Sequence, residues 1–253
     1  MIFSIITITY NAAGVLKKTM DSVFQQTYPG IEYIIIDGKS NDETLSIIKE
    51  SESEKKHGFD FKWISEPDRG IYDAMNKGLS LAKGDYVYFL NAGDCFKNAN
   101  ILSDLAQIIK SENFPDIIYG ETDLINYQNK IISGRRLKAP KNLTWKSFRM
   151  GMLVCHQAFI VKRNIAQEYD LQYRFSSDFD WCIRCMKNAK TIVNSRIRLV
   201  NYLYEGTTTA NRKASLQERY KIMCKYYGTF PTLIRHLWFA LRFYYAKVFK
   251  NNS

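Results

Sequence analysis

Carboxylates follow apolar, strand-like segments at several points in this chain, and they are the residues best placed to do chemistry. Asp37 ends the run IEYIIID, Asp68 follows FKWISEP, and Asp94 closes a turn after DYVYFL. In an open parallel sheet, ligands bind beyond the carboxyl ends of the strands, because loops line a crevice there. Carboxylates at successive strand ends repel one another unless a cation lies between them, which indicates a ligand such as a metal-chelated diphosphate. The alternative for each Asp is a turn or helix-capping role.

Two common phosphate-binding motifs are absent from the sequence. Neither GxxxxGK[ST] nor GxGxxG follows the first strand-like segment, which excludes a P-loop and a dinucleotide fingerprint. The phosphates of a bound nucleotide would therefore be held by a metal ion and scattered cations. Mg²⁺ suits such a site, because it is usually bound by one or two carboxylates together with waters and substrate phosphates.

The segments that must position these residues alternate between strand and helix periodicity. Four apolar strand-like runs occur in the first 90 residues, and amphipathic helical segments such as GVLKKTMDSVFQQT and GIYDAMNKGLSLAKG separate them. This alternation is typical of stacked βα units, so the sequence predicts an α/β fold with a mostly parallel sheet. Further along the chain, PDIIYGETDLIN and NKIISGRR predict a strand pair, and SSDFDWCIRCMKNA predicts a helix.

Length and composition predict a folded protein with one large α/β domain. The chain has 253 residues, of which 46% are hydrophobic and 24% are charged. Its five cysteines are an odd number without zinc-site spacing, which favours reduced thiols over disulfides or metal ligands. The N-terminal segment MIFSIITITYN lacks the basic region and cleavage site of a signal peptide, so a cytoplasmic protein is expected.

The C-terminal segment, residues 213–253, carries much of the net charge of +11, with eight Lys or Arg and a single Glu. Within it, TLIRHLWFALRFYYAKVFK combines an apolar helical side with interrupting basic residues. These interruptions argue against a membrane-spanning helix, which needs about 20 predominantly apolar residues. A basic amphipathic helix rich in Trp and Tyr instead predicts peripheral contact with an anionic membrane. The alternatives are a helix packed on the domain and a dimer contact.

Five segments, in order and spacing, resemble the family 2 glycosyltransferases that build bacterial surface polysaccharides. They are SIITITYN, YIIIDGKSNDET, SEPDRGIYDAMNKGLSLAKGDYVYFLNAGD, CHQAFIVKR and SSDFDWCIRC, and the match covers roughly residues 1–205. The resemblance implies the GT-A (nucleotide-diphospho-sugar transferase) fold, with a mostly parallel central sheet flanked by helices. It divides the chain into a glycosyltransferase domain over 1–212 and the helical tail 213–253, the domain having a nucleotide-binding half (1–95) and an acceptor half (96–212).

The same resemblance implies the reaction and its partners. A sugar would pass from a nucleotide-diphosphate sugar to a hydroxyl of a glycan or polyprenyl-linked glycan, with inversion at the anomeric carbon. A divalent cation, Mg²⁺ or Mn²⁺, would bind the diphosphate. The expected setting is capsule, exopolysaccharide or lipopolysaccharide synthesis on the inner face of the cytoplasmic membrane.

The resemblance also assigns roles to individual positions. The nucleotide would contact Thr9, Tyr10, Asp37, Asp68 and Asn91. The metal ion would bind Asp94, the sugar or acceptor would contact His156 and Gln157, and the catalytic base would be Asp178.

Four features of the sequence qualify this assignment. The turn at 91–94 reads Asn-Ala-Gly-Asp, where many family members have Asp-x-Asp-Asp, so Asp94 is its single carboxylate. Asp180 is a weaker candidate for the base than Asp178, because a residue two positions further along points to a different side of the helix. His156 could also be a core histidine with a satisfied ring nitrogen, and Asp178 a solvated first-turn acid.

Two other function classes compete with the enzyme. The reduced number of acids at 91–94 suggests a catalytically inactive protein that binds sugar nucleotides as a partner. The net charge suggests nucleic-acid binding, but the sequence contains no recognised nucleic-acid module, so no nucleic-acid partner is expected. A homodimer is left open.

Overall fold

A computed structural model describes residues 1–53, 58, 60–204 and 211–249. Over these ranges, the chain forms one nine-stranded sheet and seven α-helices. The strands are β1 (Phe3–Thr9), β2 (Ile31–Asp37), β3 (Asp60–Ser65), β4 (Tyr86–Phe89), β5 (Cys95–Phe96), β6 (Ile117–Ile125), β7 (Ile131–Gly134), β8 (Phe159–Lys162) and β9 (Ile192–Leu203). The helices are α1 (Ala13–Phe24), α2 (Thr44–Ser53), α3 (Ile71–Leu81), α4 (Ile101–Ser111), α5 (Ser177–Asn188), α6 (Arg212–Tyr227) and α7 (Thr229–Phe249).

The sheet is parallel in its first half and mixed in its second. The strand order is β3-β2-β1-β4-β8-β6-β9-β5, and β7 pairs with β6. The pairs among β1 to β4 are parallel, as predicted, whereas β8 runs antiparallel to both β4 and β6. The predicted strand pair after residue 115 is confirmed as the antiparallel pair of β6 and β7. The long strand β9, which the sequence did not predict, lies parallel to β6.

The central strands are buried along their whole length because helices cover both faces of the sheet. Every residue of β1 and of β2 is buried. Side chains alternate between the faces, so Ile6 and Ile8 enter the core beside α3 and α5, while Phe3 and Ile5 enter the core beside α1 and α4. In α3, Gly78 lets the helix approach β1 closely, since a Cβ there would lie 2.4 Å from Ile6 Cγ2.

The two C-terminal helices differ in how they pack. Helix α6 lies on the domain: Ile222 and Met223 are buried, and Glu218 accepts hydrogen bonds from the backbone N–H groups of Arg174 and Phe175. Helix α7 instead leaves a series of large apolar side chains exposed. None of the described helices has the length and apolar character needed to cross a membrane. The last four residues of the predicted tail, 250–253, lie outside the described ranges. The division at residue 212 stays a prediction.

Candidate active site

The loops after β1, β2, β3 and β4 meet at the carboxyl edge of the parallel strands. Thr9 and Asp37 are register partners at the ends of β1 and β2. The N–H of Gly38 donates to the Thr9 carbonyl at 2.9 Å, and the N–H of Glu66 donates to the Asp37 carbonyl at 3.0 Å. The N–H of Ala92, in the turn after β4, reaches the Ile8 carbonyl at 3.1 Å. The backbone therefore brings the predicted nucleotide residues together.

One end of this edge is an open wall formed by Tyr10, Gly38 and Asp68. Tyr10 is 62% exposed. A Cβ at Gly38 would lie 2.5 Å from Asp68 Oδ2 and 3.3 Å from Tyr10 Cδ2, so a larger residue there would displace the Asp68 carboxylate. The other carboxylate oxygen of Asp68 accepts the N–H of Gly70 at 2.8 Å, just before α3 begins. Asp68 thus caps α3, which is the alternative role named above, and its other oxygen lies near Gly38 together with the ring of Tyr10.

Asp37 is fully buried, and its carboxylate organises the loop after β2. It accepts hydrogen bonds from the Ser40 N–H at 2.9 Å, the Ser40 hydroxyl at 2.5 Å and the Ser65 hydroxyl at 2.6 Å. Thr9 is also buried, and its hydroxyl has no partner among the described residues. A contact of Asp37 or Thr9 with the nucleotide stays a prediction.

The turn that carries Asp94 is fixed against the end of β9. Gly93 has φ +99°, and a Cβ there would lie 2.8 Å from Leu203 Cδ2, so glycine is required for both reasons. Asp94 Oδ1 accepts the Leu203 N–H at 3.0 Å, and Oδ2 accepts the Gln157 amide at 3.0 Å. The side chain is only 3% exposed. Burial raises the pKa of Asp94 to about 7, although both hydrogen bonds oppose the shift.

The residues near this turn suit a metal ion that is bound jointly by the protein and a diphosphate, and they are too few to bind one alone. Within the described ranges, no three His, Cys, Asp or Glu side chains form a metal cluster. On the same turn, however, Asn91 Oδ1 is buried without a hydrogen-bond partner in the described part of the chain. One carboxylate and one amide oxygen are hard donors of the kind that Mg²⁺ or Mn²⁺ prefers when phosphates complete its shell.

The two acids at the start of α5 have different surroundings. Asp178 is half-buried, and its Oδ1 accepts the Tyr72 hydroxyl at 3.1 Å and the Phe179 N–H at 2.9 Å. Its Oδ2 accepts no hydrogen bond from any residue that the structure describes. Asp180 is fully buried and bonds Arg184 at 2.6 Å, Lys225 at 3.3 Å and the Tyr226 hydroxyl at 2.8 Å. Asp180 therefore has a structural role, whereas Asp178 Oδ2 is available to bind a ligand.

The two residues predicted to contact the sugar or acceptor occupy different places. Gln157 lies beside the metal turn through its hydrogen bond to Asp94. His156 is buried in an aromatic cluster, with Nε2 at 2.5 Å from the Tyr169 hydroxyl and its ring 5.5 Å from that of Trp181. Burial lowers the pKa of His156 to about 4, so the ring is neutral. Contact of His156 with the sugar stays a prediction. In the structure its ring is packed in the core with Nε2 hydrogen-bonded, as expected for the alternative of a core histidine.

Asp94 and Asp178 are connected by a short series of contacts. Gln157 bonds Asp94, and its neighbour His156 bonds Tyr169. Tyr72 stacks on Tyr169 and bonds Asp178. The predicted metal ligand and the predicted base therefore lie in one connected region.

The two acids also act on the same two buried side chains, Cys155 and Tyr202. Burial first, and then the charges of both Asp residues, raise the pKa of each of these two groups. Arg135, at the end of β7, opposes the shift in both cases.

Arg135, Tyr72 and Tyr202 are the site residues that sequence reasoning missed. Arg135 donates to the carbonyls of Met152 at 3.0 Å and Leu153 at 3.4 Å, and no carboxylate of the described residues pairs with it. The only sequence signal for Arg135 was the basic pair in NKIISGRR, which lies outside the parallel strand ends. Tyr72 and Tyr202 carried no signal, because their roles depend on contacts between distant parts of the chain.

Comparisons with known proteins identify the family. The protein-family model described as glycosyl transferase family 2 matches residues 4–170. The chain is 34% identical over 189 residues to a PGL/p-HBAD biosynthesis glycosyltransferase of Mycobacterium bovis (strain BCG / Pasteur 1173P2), which covers 74% of this chain and 70% of the relative. It is 28% identical over 208 residues to the amylovoran biosynthesis glycosyltransferase AmsB of Erwinia amylovora, covering 79% of this chain and 69% of AmsB.

Solved structures agree on the fold. S. aureus TarS 1-349 in complex with UDP superposes with a TM-score of 0.69 at 17% identity, over 88% of this chain and 66% of that one. The mannosyltransferase PcManGT of Pyrobaculum calidifontis, in complex with GDP-Man and Mn²⁺, superposes with a TM-score of 0.65 at 16% identity, over 88% and 63%. The predicted GT-A fold is confirmed. The matched family model and the relative at 34% identity show that this chain is a glycosyltransferase and belongs to family 2.

Proposed function

We propose that this glycosyltransferase moves a sugar, with inversion, from a nucleotide-diphosphate sugar to a hydroxyl of a glycan or lipid-linked glycan. The observation that carries the proposal is the presence of two carboxylates in one connected region. Asp94 lies at the strand end where a diphosphate would bind, and Asp178 keeps Oδ2 free of hydrogen bonds from the described residues. This arrangement suits one base and one cation-binding acid.

The proposed reaction is a direct displacement. A sugar hydroxyl is a poor nucleophile, so Asp178 would accept its proton while the oxygen bonds to the anomeric carbon. The bond from that carbon to the diphosphate breaks as the new bond forms, and no covalent enzyme intermediate is required. Inversion follows, because the acceptor oxygen attacks opposite the leaving diphosphate.

The leaving diphosphate gains negative charge as the bond breaks, and the site offers two means of stabilising it. A divalent cation held by Asp94 and Asn91 would supply Lewis-acid stabilisation of that charge. Arg135 donates to two backbone carbonyls and pairs with no carboxylate of the described residues, so its remaining N–H groups are available to a phosphate or to the sugar. The open wall of Tyr10 and Asp68 would receive the nucleoside.

The names of similar proteins support the donor and the setting. TarS has been crystallised with UDP and with UDP-GlcNAc, and PcManGT with GDP-Man and Mn²⁺. AmsB is a glycosyltransferase of amylovoran biosynthesis. We therefore propose a nucleotide-sugar donor and a role in bacterial surface-glycan assembly. The rival function, a catalytically inactive sugar-nucleotide-binding partner, is favoured by the single carboxylate in the turn at 91–94.

Calorimetric titration with UDP, GDP and their sugar conjugates, with and without Mn²⁺, tests the proposal at the donor step. We expect one nucleotide to bind in a metal-dependent manner, followed by transfer or slow hydrolysis of its sugar. Binding without any turnover, over a range of acceptors, would favour the inactive partner. No binding of any nucleotide would contradict the proposed function.

The proposal includes peripheral contact of α7 with an anionic membrane, where a lipid-linked acceptor would lie. Phe230 is 73% exposed and Trp238 55% exposed, and the apolar side between them continues through Leu233, Ile234, Leu237 and Leu241. The segment from residue 213 onward carries eight Lys or Arg and one Glu. Exposed Trp and Leu beside basic residues match an interfacial helix, because its apolar side chains enter the lipid while its charges meet anionic headgroups.

Vesicle flotation tests this contact with the double variant Trp238→Glu and Leu241→Glu. Burying one Leu side chain contributes about 1.5–3 kcal/mol, so we expect the double variant to bind phosphatidylglycerol vesicles at least about tenfold more weakly. Tyr127→Glu, which adds charge at another exposed aromatic residue, is the matched control and should bind like the wild type. Equal loss in both proteins, or equal binding to pure phosphatidylcholine, would contradict membrane docking through α7.

A further inference from the structure

Tyr72 connects the nucleotide-binding half of the domain to the proposed base. It lies in the first turn of α3, which begins three residues after Asp68, and its side chain is only 8% exposed. Its hydroxyl donates to Asp178 Oδ1 at 3.1 Å across 106 positions of sequence. A buried polar group normally has a hydrogen-bond partner, and here the partner is the carboxylate proposed to accept the proton.

The ring of Tyr72 stacks on an aromatic side chain that is itself held in place. It stacks on the ring of Tyr169 with centroids 5.6 Å apart and planes at 20°, and Tyr169 stacks in turn on Trp181 at 4.9 Å and 11°. One turn further along α3, the Asn76 amide bonds the backbone of Tyr169 twice, at 3.0 and 2.6 Å. The hydroxyl of Tyr72 is therefore presented to Asp178 by a packed aromatic stack.

The Tyr72 hydroxyl is the donor of this hydrogen bond. Burial first, and then the negative charge of Asp178, raise the pKa of Tyr72 well above its ordinary value, and the cation Arg219 of α6 opposes that shift. A neutral phenol beside a carboxylate donates its proton to the hydrogen bond and accepts none from the carboxylate.

We propose that Tyr72 is a positioning residue for the base. By binding Oδ1, its hydroxyl fixes the plane of the Asp178 carboxylate and directs Oδ2 towards the acceptor hydroxyl. The inference rests on the proposed function, because it assigns Tyr72 to a base that the proposed function supplies. It adds that the helix beginning at the nucleotide loop also sets the orientation of the base.

The substitution Tyr72→Phe removes the hydroxyl and keeps the stacked ring. We expect kcat to fall about tenfold with little change in the donor KM, since one hydrogen bond to a charged group is lost. The split between a lowered kcat and an unchanged donor KM is the readout that a merely structural role of Tyr72 would not produce. Tyr86→Phe, which removes a buried hydroxyl bonded to the Pro115 carbonyl, is the matched control and should leave kcat unchanged.

Thermal unfolding is the second measurement, and it keeps the test valid if Tyr72→Phe is less stable than the wild type. Well below the melting temperature of the variant, kcat should still be about tenfold lower than in the wild type, while Tyr86→Phe matches the wild type. A wild-type kcat in folded Tyr72→Phe would overturn the role of Tyr72. If Asp178→Asn retained wild-type activity, the assignment of Asp178 as the base would be wrong. If Asp178→Asn were inactive and Tyr72→Phe unaffected, the base would stand and only the role of Tyr72 would be wrong.

Discussion

Asparagine at position 178 is expected to lower kcat by about 10²–10⁴-fold, the usual contribution of a general base. Asp178 is half-buried at the start of α5 and keeps Oδ2 free of hydrogen bonds from the described residues. The amide of Asn has the same shape but cannot accept the acceptor proton. Donor binding should stay near wild type, because the nucleotide would lie at the other side of the site. Initial rates at saturating donor and calorimetric donor affinity check both parts.

Asp180→Asn is the matched control, two residues along the same helix. Asp180 is fully buried and bonds Arg184, Lys225 and Tyr226. Asn at this position removes the negative charge that forms ion pairs with both cations. We expect a loss of unfolding free energy of about 3 kcal/mol, the low end for a buried ion pair because both cations are partly exposed. The pair would thus separate a chemical effect at 178 from a stability effect at 180. Wild-type activity in Asp178→Asn would contradict the role of Asp178 as the base. So would a loss of unfolding free energy in Asp178→Asn as large as that in Asp180→Asn.

The second large effect is expected at Asp94, where Asn should abolish transfer while leaving the apoprotein at least as stable. A metal on the diphosphate supplies several kcal/mol to the transition state, so the rate should fall at least about a hundredfold. The fold should tolerate the change. An Asn oxygen still accepts the Leu203 N–H, and the Gln157 amide can turn to accept from the new NH₂ group.

The same substitution should also remove a pH dependence of stability. Burial raises the pKa of Asp94 to about 7, above its unfolded value near 4, so the folded protein disfavours the charged form. Stability is therefore greatest below about pH 4 for this group, falls as the pH rises towards 7, and is lower by on the order of a few kcal/mol above it. Unfolding in metal-free buffer from pH 4 to 8 measures the slope, which should flatten in Asp94→Asn. Equal slopes in the two proteins would argue against this burial effect.

The carboxyl edge of the sheet was predictable because its signals are local. Asp37, Asp68 and Asp94 each follow an apolar run, and parallel strands bring the ends of such runs to one edge whatever the rest of the fold does. What the runs could not disclose is the state of each carboxylate. Asp37 is fully buried beneath two serine hydroxyls, whereas Asp68 lies against an exposed tyrosine, and the two look alike in sequence.

The acceptor side of the site was less predictable because its contacts join distant segments. Asp178 meets Tyr72 across 106 positions, and Asp94 meets Leu203 across 109. Strand β9, which supplies that partner, alternates apolar and charged residues only over 196–199, too short a stretch to predict its twelve residues, and it pairs with β6. Hydrophobic periodicity reports which face of an element is buried and not which element lies against it.

The most direct test of the central claim is the anomeric configuration of the product. Transfer from an α-linked nucleotide sugar to an acceptor, followed by proton NMR of the purified product, reports whether the new bond is α or β. Direct displacement with Asp178 as the base predicts a β-linked product from the wild-type enzyme and none above background from Asp178→Asn. An α-linked product would contradict the account, because retention requires a second displacement or a front-side path that this arrangement of Asp94 and Asp178 does not supply.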